Sequence, residues 1–90
     1  MPPKKIKVLG QTIKIVVKDM EDLGEFDRSK LTISLSRSQT PDEMASSLLH
    51  EILHAVFFIS GHSFIIEDNH EEALVRVLET GLYEHIKLSL

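Results

Sequence analysis

The sequence contains no cysteine and no tryptophan, and it has one tyrosine, three prolines and four glycines among 90 residues. Without cysteine, neither a disulfide bond nor a thiolate metal site can form. The longest uninterrupted apolar run, Ala55–Ile59, is far shorter than the roughly 20 residues that cross a bilayer. These absences exclude a disulfide-stapled fold and predict that the chain has no membrane partner.

Charge and length narrow the class of protein further. The formal net charge is −4, which gives no overall attraction to nucleic acid or to an anionic membrane. Apolar residues make up 42% and charged residues 27%, an ordinary globular balance. We therefore expect a single domain spanning residues 1–90 with a thin core and no nucleic-acid partner. Because no signal peptide is visible, we also expect a cytoplasmic location.

The first third of the chain predicts β-structure. Three stretches are rich in β-branched residues or alternate apolar and polar positions: Ile6–Leu9, Thr12–Lys18 and Lys30–Ser36. Gly10 and Gln11 separate the first two stretches, which predicts a hairpin with a tight turn. Asp19–Ser29 has mixed polarity and no period, so we expect a loop or a short irregular helix there.

The second half predicts two helices. Thr40 is a suitable N-cap, Pro41 suits the first helical position, and Glu43 completes a capping box. Apolar residues then recur at helical spacing until Gly61, a plausible C-cap, and they do so again over Glu71–Lys87. The expected fold class is α+β: a small, mainly antiparallel three-stranded sheet followed by two packed helices.

The pattern H-E-x-x-H runs from His50 to His54 inside the first predicted helix. Residues four apart lie about 40° apart on a helix, so both imidazoles can bind one ion from the same face. Glu51 is rotated by about 100° from His50, where it can reach a water held on that ion. Zinc lowers the pKa of such a water towards about 7, and a carboxylate beside it can act as general base and later as general acid. The pattern predicts His50 and His54 as zinc ligands and Glu51 as the catalytic residue.

A hydrolytic zinc site needs a third protein ligand and one open position. A metzincin would place a histidine ten residues after His50, but Ser60 stands there, and Phe57 replaces the usual glycine. The metzincin pattern is therefore excluded. Two further classes of ligand remain open: a glutamate from the following helix, or a histidine such as His62 or His70.

The motif from His50 to His54, followed by a helix that begins with glutamates, resembles the gluzincin branch of zinc metallopeptidases. The compact order of strands, motif helix and glutamate helix is similar to minimal zincin domains, including small phage- or prophage-type metallopeptidase-like proteins. The resemblance implies a zincin-like fold in which His50 and His54 bind zinc and Glu51 is the general base. It also implies Glu72 or Glu71 as the third ligand.

Between the two glutamates, the family pattern favours Glu72. In thermolysin-like enzymes the ligand glutamate precedes a small residue, with apolar residues two, five and six positions on; the corresponding residues here are Ala73, Leu74, Val77 and Leu78. Glu71 lies near the middle of the apolar stripe of the same helix and remains the alternative. The family also carries an acidic residue four positions after the ligand, where it supports a ligand histidine, and Arg76 stands there instead.

These observations predict zinc-dependent hydrolysis of peptide bonds in a peptide or protein substrate. We expect the strand at Leu31–Ser36 to lie at a free sheet edge beside the cleft, with Thr32 and Ser34 facing outward, where it could pair with an extended peptide. A second copy or a partner protein would complete the cleft of so short a chain. The alternatives are a zinc-binding structural or regulatory module with weak or no turnover, and a metal-free interaction domain.

Overall fold

A computed structural model describes residues 2–62 and 66–89 of the chain, the last six by backbone alone. This part of the chain forms four strands and two helices: β1 (Lys5–Val8), β2 (Gln11–Lys18), β3 (Gly24–Asp27), β4 (Thr32–Ser36), α1 (Pro41–Ile59) and α2 (Asp68–Ser89). The predicted α+β class and the order of sheet before helices are confirmed. Neither α1 nor α2, over the residues described, has the length and apolar character needed to span a membrane.

The sheet has the strand order β1-β2-β4-β3 and is mixed. β1 pairs with β2 and β3 with β4 in antiparallel fashion, whereas β2 and β4 are parallel. The prediction of three mainly antiparallel strands is therefore wrong, because β3 forms inside Asp19–Ser29, where a loop or irregular helix was expected. β3 is only four residues long and has one apolar side chain, Phe26. Its strand conformation follows from pairing with β4 rather than from a hydrophobic period.

β4 lies in the interior of the sheet, so the prediction that it forms the edge beside the cleft is also wrong. Ser34, which was expected to face outward, is buried together with its neighbours Ile33 and Leu35. Because serine is small, a strand that alternates apolar residues with serine can be covered on both faces. The edge position belongs to β3.

Helix α1 packs across the sheet and closes the hydrophobic core. The buried core residues come from three strands and one helix: Val8, Ile13, Ile15, Ile33, Leu35 and Ala55. One side of α1 adds partly buried apolar residues to this core, namely Met44, Leu48, Ile52, Val56 and Ile59. A different side of α1 contacts α2. The helix that carries the H-E-x-x-H motif is thus held between the sheet and the second helix.

The N-terminal end of α1 forms as predicted, whereas the C-cap is Ser60 rather than Gly61. The Thr40 hydroxyl accepts a hydrogen bond from the Glu43 N–H at 3.2 Å, and the Glu43 carboxylate accepts one from the Thr40 N–H at 2.8 Å. The helix ends at Ile59, and Gly61 follows with a φ of 84°. The first turn of α1 is also tied to α2, because the Tyr83 hydroxyl donates to the Asp42 carbonyl at 2.8 Å.

The turn between β1 and β2 contains Leu9 and Gly10, one residue earlier than predicted, and both have positive φ (49° and 83°). A leucine in this conformation is strained, whereas an Asn-Gly pair is the preferred sequence for such a turn. Leu9 is 63% exposed, so little packing is lost on substitution. We expect Leu9→Asn to raise the melting temperature by about 4–8 °C, the shift that about 1 kcal/mol gives in a small domain. Calorimetry of Leu9→Asn beside Leu9→Ala checks this, since alanine lacks the asparagine preference and should give no comparable gain.

Candidate metal centre

The two histidines of the motif lie side by side on the face of α1 that meets α2. Their ring centroids are 4.9 Å apart, as expected for residues one helical turn apart. Both side chains are partly buried. The helix therefore presents His50 and His54 together towards a single point.

Glu72 from α2 reaches that point. Its Oε1 lies 3.0 Å from Nε2 of His50, and its Oε2 lies 3.0 Å from Nε2 of His54. Each of these three residues offers one ligand atom, and the three atoms lie within 4.8 Å of one another. The structure thus brings together the two motif histidines and the glutamate that the sequence favoured, in a group that could hold a metal ion.

Two further carboxylates hold the outer nitrogens of the histidine rings. Nδ1 of His50 lies 2.8 Å from Oε2 of Glu79, and Nδ1 of His54 lies 2.7 Å from Oε2 of Glu71. Glu71, the alternative third ligand, therefore contacts Nδ1 of His54, whereas Glu72 contacts Nε2 of the same ring. Carboxylates in this position orient metal-binding histidines in many proteins and raise their basicity.

Glu79 is the site residue that the sequence did not reveal. The presence of Arg76 where the family has an acid predicted that this support for a ligand histidine is absent, but Glu79 contacts His50 from one turn further along α2. It also accepts a hydrogen bond from the Ser46 hydroxyl at 2.6 Å. Burial works to raise the pKa of Glu79, but the hydrogen bonds from Ser46 and His50 outweigh it and hold the pKa below its ordinary value.

The hydrogen bonds at Nδ1 determine what each Nε2 can offer. An ionised carboxylate only accepts hydrogen bonds, so Nδ1 of His50 and of His54 must donate to Glu79 and Glu71. In a neutral imidazole the proton is then at Nδ1, and Nε2 carries a lone pair. That lone pair faces an oxygen of Glu72, which also carries lone pairs. Two such contacts at 3.0 Å are favourable only with positive charge between the atoms, supplied either by a second proton on each imidazole or by a metal ion, so this donor set is compatible with a cation.

Glu51 occupies a different environment from the other acids. It points towards β3 rather than α2, and it is only 8% exposed. Burial raises the pKa of Glu51 above its ordinary value, and the neighbouring His50 and His54 oppose this effect. A buried carboxylate that follows His50 in the chain, with a pKa above its ordinary value, is a candidate for proton transfer.

Two hollows meet at Glu51, which lines both. The first, of about 290 Å³, is bounded by Phe26, Arg28, His54, Phe58 and Glu72. The second, of about 480 Å³, is bounded by Leu23, Gly24, His50, Arg76 and Glu79. β3 and its flanking residues form one wall of both hollows, and α2 forms the opposite wall. Glu51 and the three residues that could hold a metal ion thus lie where the two hollows adjoin.

The other sequence candidates lie outside this group. His62 is exposed, and its Nδ1 is 2.8 Å from the Ser60 hydroxyl. His70 is exposed at the start of α2. Over the residues that the structure describes, the group capable of binding a metal consists of His50, His54 and Glu72.

Removing the support behind His50 should weaken metal binding. We expect Glu79→Ala to lower the affinity for zinc by about 10- to 100-fold, because Nδ1 of His50 loses its charged acceptor. Competition with a chromogenic chelator measures this. Glu21→Ala is the matched control, since it removes an exposed carboxylate far from the site in sequence and should leave the affinity unchanged. Equal affinities for the two variants would contradict the role of Glu79.

The raised pKa of Glu51 also predicts a stability effect in the metal-free protein. A buried acid with a raised pKa destabilises the fold at a pH above its folded pKa, and this cost vanishes below the ordinary value of 4.5. We therefore expect Glu51→Gln to have the higher melting temperature at pH 7, with the difference shrinking as the pH falls towards 4.5. Thermal unfolding in the presence of chelator measures it. A lower melting temperature for Glu51→Gln at pH 7 would be the opposite result.

Comparison with protein-family models, with curated proteins and with solved structures finds no match to this chain. No activity can therefore be carried over from a relative.

Proposed function

We propose that this protein is a zinc-dependent metallopeptidase in which His50, His54 and Glu72 hold the metal. One observation carries the proposal: two imidazoles have their Nδ1 atoms held by carboxylates and direct both Nε2 atoms at one shared glutamate. Two imidazole nitrogens and one carboxylate oxygen form the ligand set of one class of catalytic zinc site, which leaves one position for water or substrate. When bound, zinc supplies a Lewis acid and lowers the pKa of its water to about 7.

Glu51 supplies the proton chemistry of this proposal. Its carboxylate accepts a proton from the attacking water and later donates it to the amine that leaves when the peptide bond breaks. Burial against β3 raises its pKa, which brings the acid and base forms closer in energy near neutral pH. His50 and His54 stabilise the ionised form of Glu51 and so limit this rise in its pKa.

The free edge of β3 supports a peptide as the substrate. The Ser36 N–H donates to the Leu23 carbonyl at 3.0 Å, and the next residue, Gly24, lies opposite Leu35. Antiparallel strands alternate between hydrogen-bonded and non-hydrogen-bonded pairs, so the main-chain groups of Gly24 and Phe26 point away from β4. An extended peptide could pair with these groups and would then cross the cleft beside Glu51.

Arg76 supports the same assignment through its charge. Several carboxylates line the two hollows, among them Glu51, Glu71, Glu72 and Glu79. Hydrolysis places further negative charge on the oxygen of the scissile carbonyl, which calls for positive groups nearby. The Nε of Arg76 lies 3.4 Å from Glu72, and the side chain lines the second hollow beside Glu51. The arginine that replaces the expected family acid therefore offers positive charge at the cleft.

The experiment that tests this function uses the protein loaded with one equivalent of zinc. We expect it to cleave denatured protein substrates or a mixed fluorogenic peptide library. Removal of the metal with a chelator should abolish cleavage, and re-addition of zinc should restore it. Stoichiometric zinc without any cleavage above background would argue against a peptidase.

A zinc-binding structural module is the second candidate function. The observation that favours it is the distribution of the site residues over two helices: the histidines are on α1, and Glu71, Glu72 and Glu79 are on α2. A bound ion would clamp these helices together, which benefits a small domain with a thin core. A large rise in melting temperature on adding zinc, without peptide cleavage, would identify this function. The zincin-like fold, the cytoplasmic location and a second copy or partner that completes the cleft remain predictions.

A further inference from the structure

Gly24 lies on the edge strand where the Glu51 side chain approaches the sheet. A Cβ atom built on Gly24 would be 3.1 Å from Cγ and 3.2 Å from Oε2 of Glu51, and 3.4 Å from Cδ2 of Leu35. The first two distances are tighter than most contacts that a Cβ atom makes, so the Glu51 side chain would have to move by a few tenths of an ångström to admit a methyl group. The Glu51 side chain therefore limits the space that any other residue at this position would need for its side chain.

The backbone gives no competing reason for glycine at this position. The glycines with positive φ are Gly10 and Gly61 in the described part of the chain, and Gly24 is not among them. Alanine could adopt the same strand conformation without left-handed strain. What disfavours a side chain at Gly24 is the close approach of Glu51.

We propose that Gly24 is a positioning residue for Glu51, an inference that rests on the proposed peptidase function. Because Gly24 has no side chain, the Glu51 carboxylate can lie against β3. The main-chain groups of Gly24 face the cleft, where they can pair with substrate. Gly24 thereby positions both the general base, Glu51, and the bound peptide. A peptide bond that pairs beside Gly24 lies next to Glu51, the residue that activates water.

Gly24→Ala tests this in the zinc-loaded protein. We expect kcat to fall by about 10- to 100-fold, since displacing a catalytic group by less than 1 Å has effects of this size. KM and the zinc content should stay close to those of the unmodified protein, because the strand edge and the ligands are unchanged. Gly81→Ala is the matched control, since a Cβ there meets no atom within 4 Å, and its kcat should not change.

A second measurement tests the contact itself without any need for activity. In metal-free protein we expect Gly24→Ala to lower the melting temperature when Glu51 is present, because of overpacking. In a Glu51→Ala background, where Cγ and Oε2 are absent, the same substitution should cause no loss. This cycle also applies if Gly24→Ala folds too poorly for kinetics.

The outcomes separate the two claims. If the unmodified protein cleaves peptides but Gly24→Ala keeps full kcat, the positioning role is overturned and the peptidase stands. An equal loss of melting temperature with and without the Glu51 side chain also overturns it. If the unmodified zinc protein cleaves nothing, the proposed function fails, and the stability cycle alone then decides whether Gly24 accommodates Glu51.

Discussion

Glu72→Gln is expected to lower the affinity for zinc on the order of a thousandfold, since it removes the charged oxygen ligand that joins two imidazoles. The amide oxygen of glutamine is neutral and binds zinc far more weakly than a carboxylate. In the proposed site, Glu72 is the residue of α2 that contacts the metal. Titration against a competing chelator at fixed pH measures the affinity.

Glu71→Gln is the matched control, because it makes the same chemical change one position earlier on the same helix. Glu71 accepts a hydrogen bond from Nδ1 of His54, so we expect a loss of only about 10- to 100-fold. The decisive result is which of the two variants, Glu72→Gln or Glu71→Gln, loses more zinc affinity. A larger loss for Glu71→Gln than for Glu72→Gln would exchange the roles of these glutamates.

Glu51→Gln should abolish peptide cleavage while zinc remains bound. Glutamine keeps the shape of the side chain but can no longer accept a proton, and general acid–base catalysis contributes about 10²- to 10⁴-fold to such rates. We expect kcat to fall within that range, with the zinc content unchanged because Glu51 is not in the metal-binding group. Steady-state kinetics with parallel metal analysis measures both quantities.

Glu21→Gln serves as the control for this substitution. Glu21 is an exposed carboxylate that lines neither hollow, and its neutralisation should leave kcat unchanged. Retained cleavage in Glu51→Gln would show that another group activates the water. Cleavage equal to background in both variants and in the unmodified protein would favour the structural zinc module.

The parts of the structure that follow from local interactions could be predicted from the sequence. The capping box at Thr40 and the periodic apolar residues of α1 define the first helix, because both depend on residues close in the chain. Placing His50 and His54 on one face needs only the geometry of that helix. The preference for Glu72 over Glu71 came from the family pattern.

The parts that depend on distant pairing could not be predicted. The sequence of β3 has too few apolar residues to predict a strand, and the segment is extended because it pairs with β4. The parallel pairing of β2 with β4 makes β4 an interior strand, and no local signal encodes that register. Glu79 lies on the same face of α2 as Glu71, but its role depends on how the two helices pack against each other.

Anomalous diffraction at the zinc absorption edge, from crystals of the protein with one equivalent of zinc, would locate the metal. We expect one strong peak within bonding distance of Nε2 of His50, Nε2 of His54 and a carboxylate oxygen of Glu72. A peak bound elsewhere, or histidine rings turned so that their Nε2 atoms do not share the ion, would contradict the proposed site.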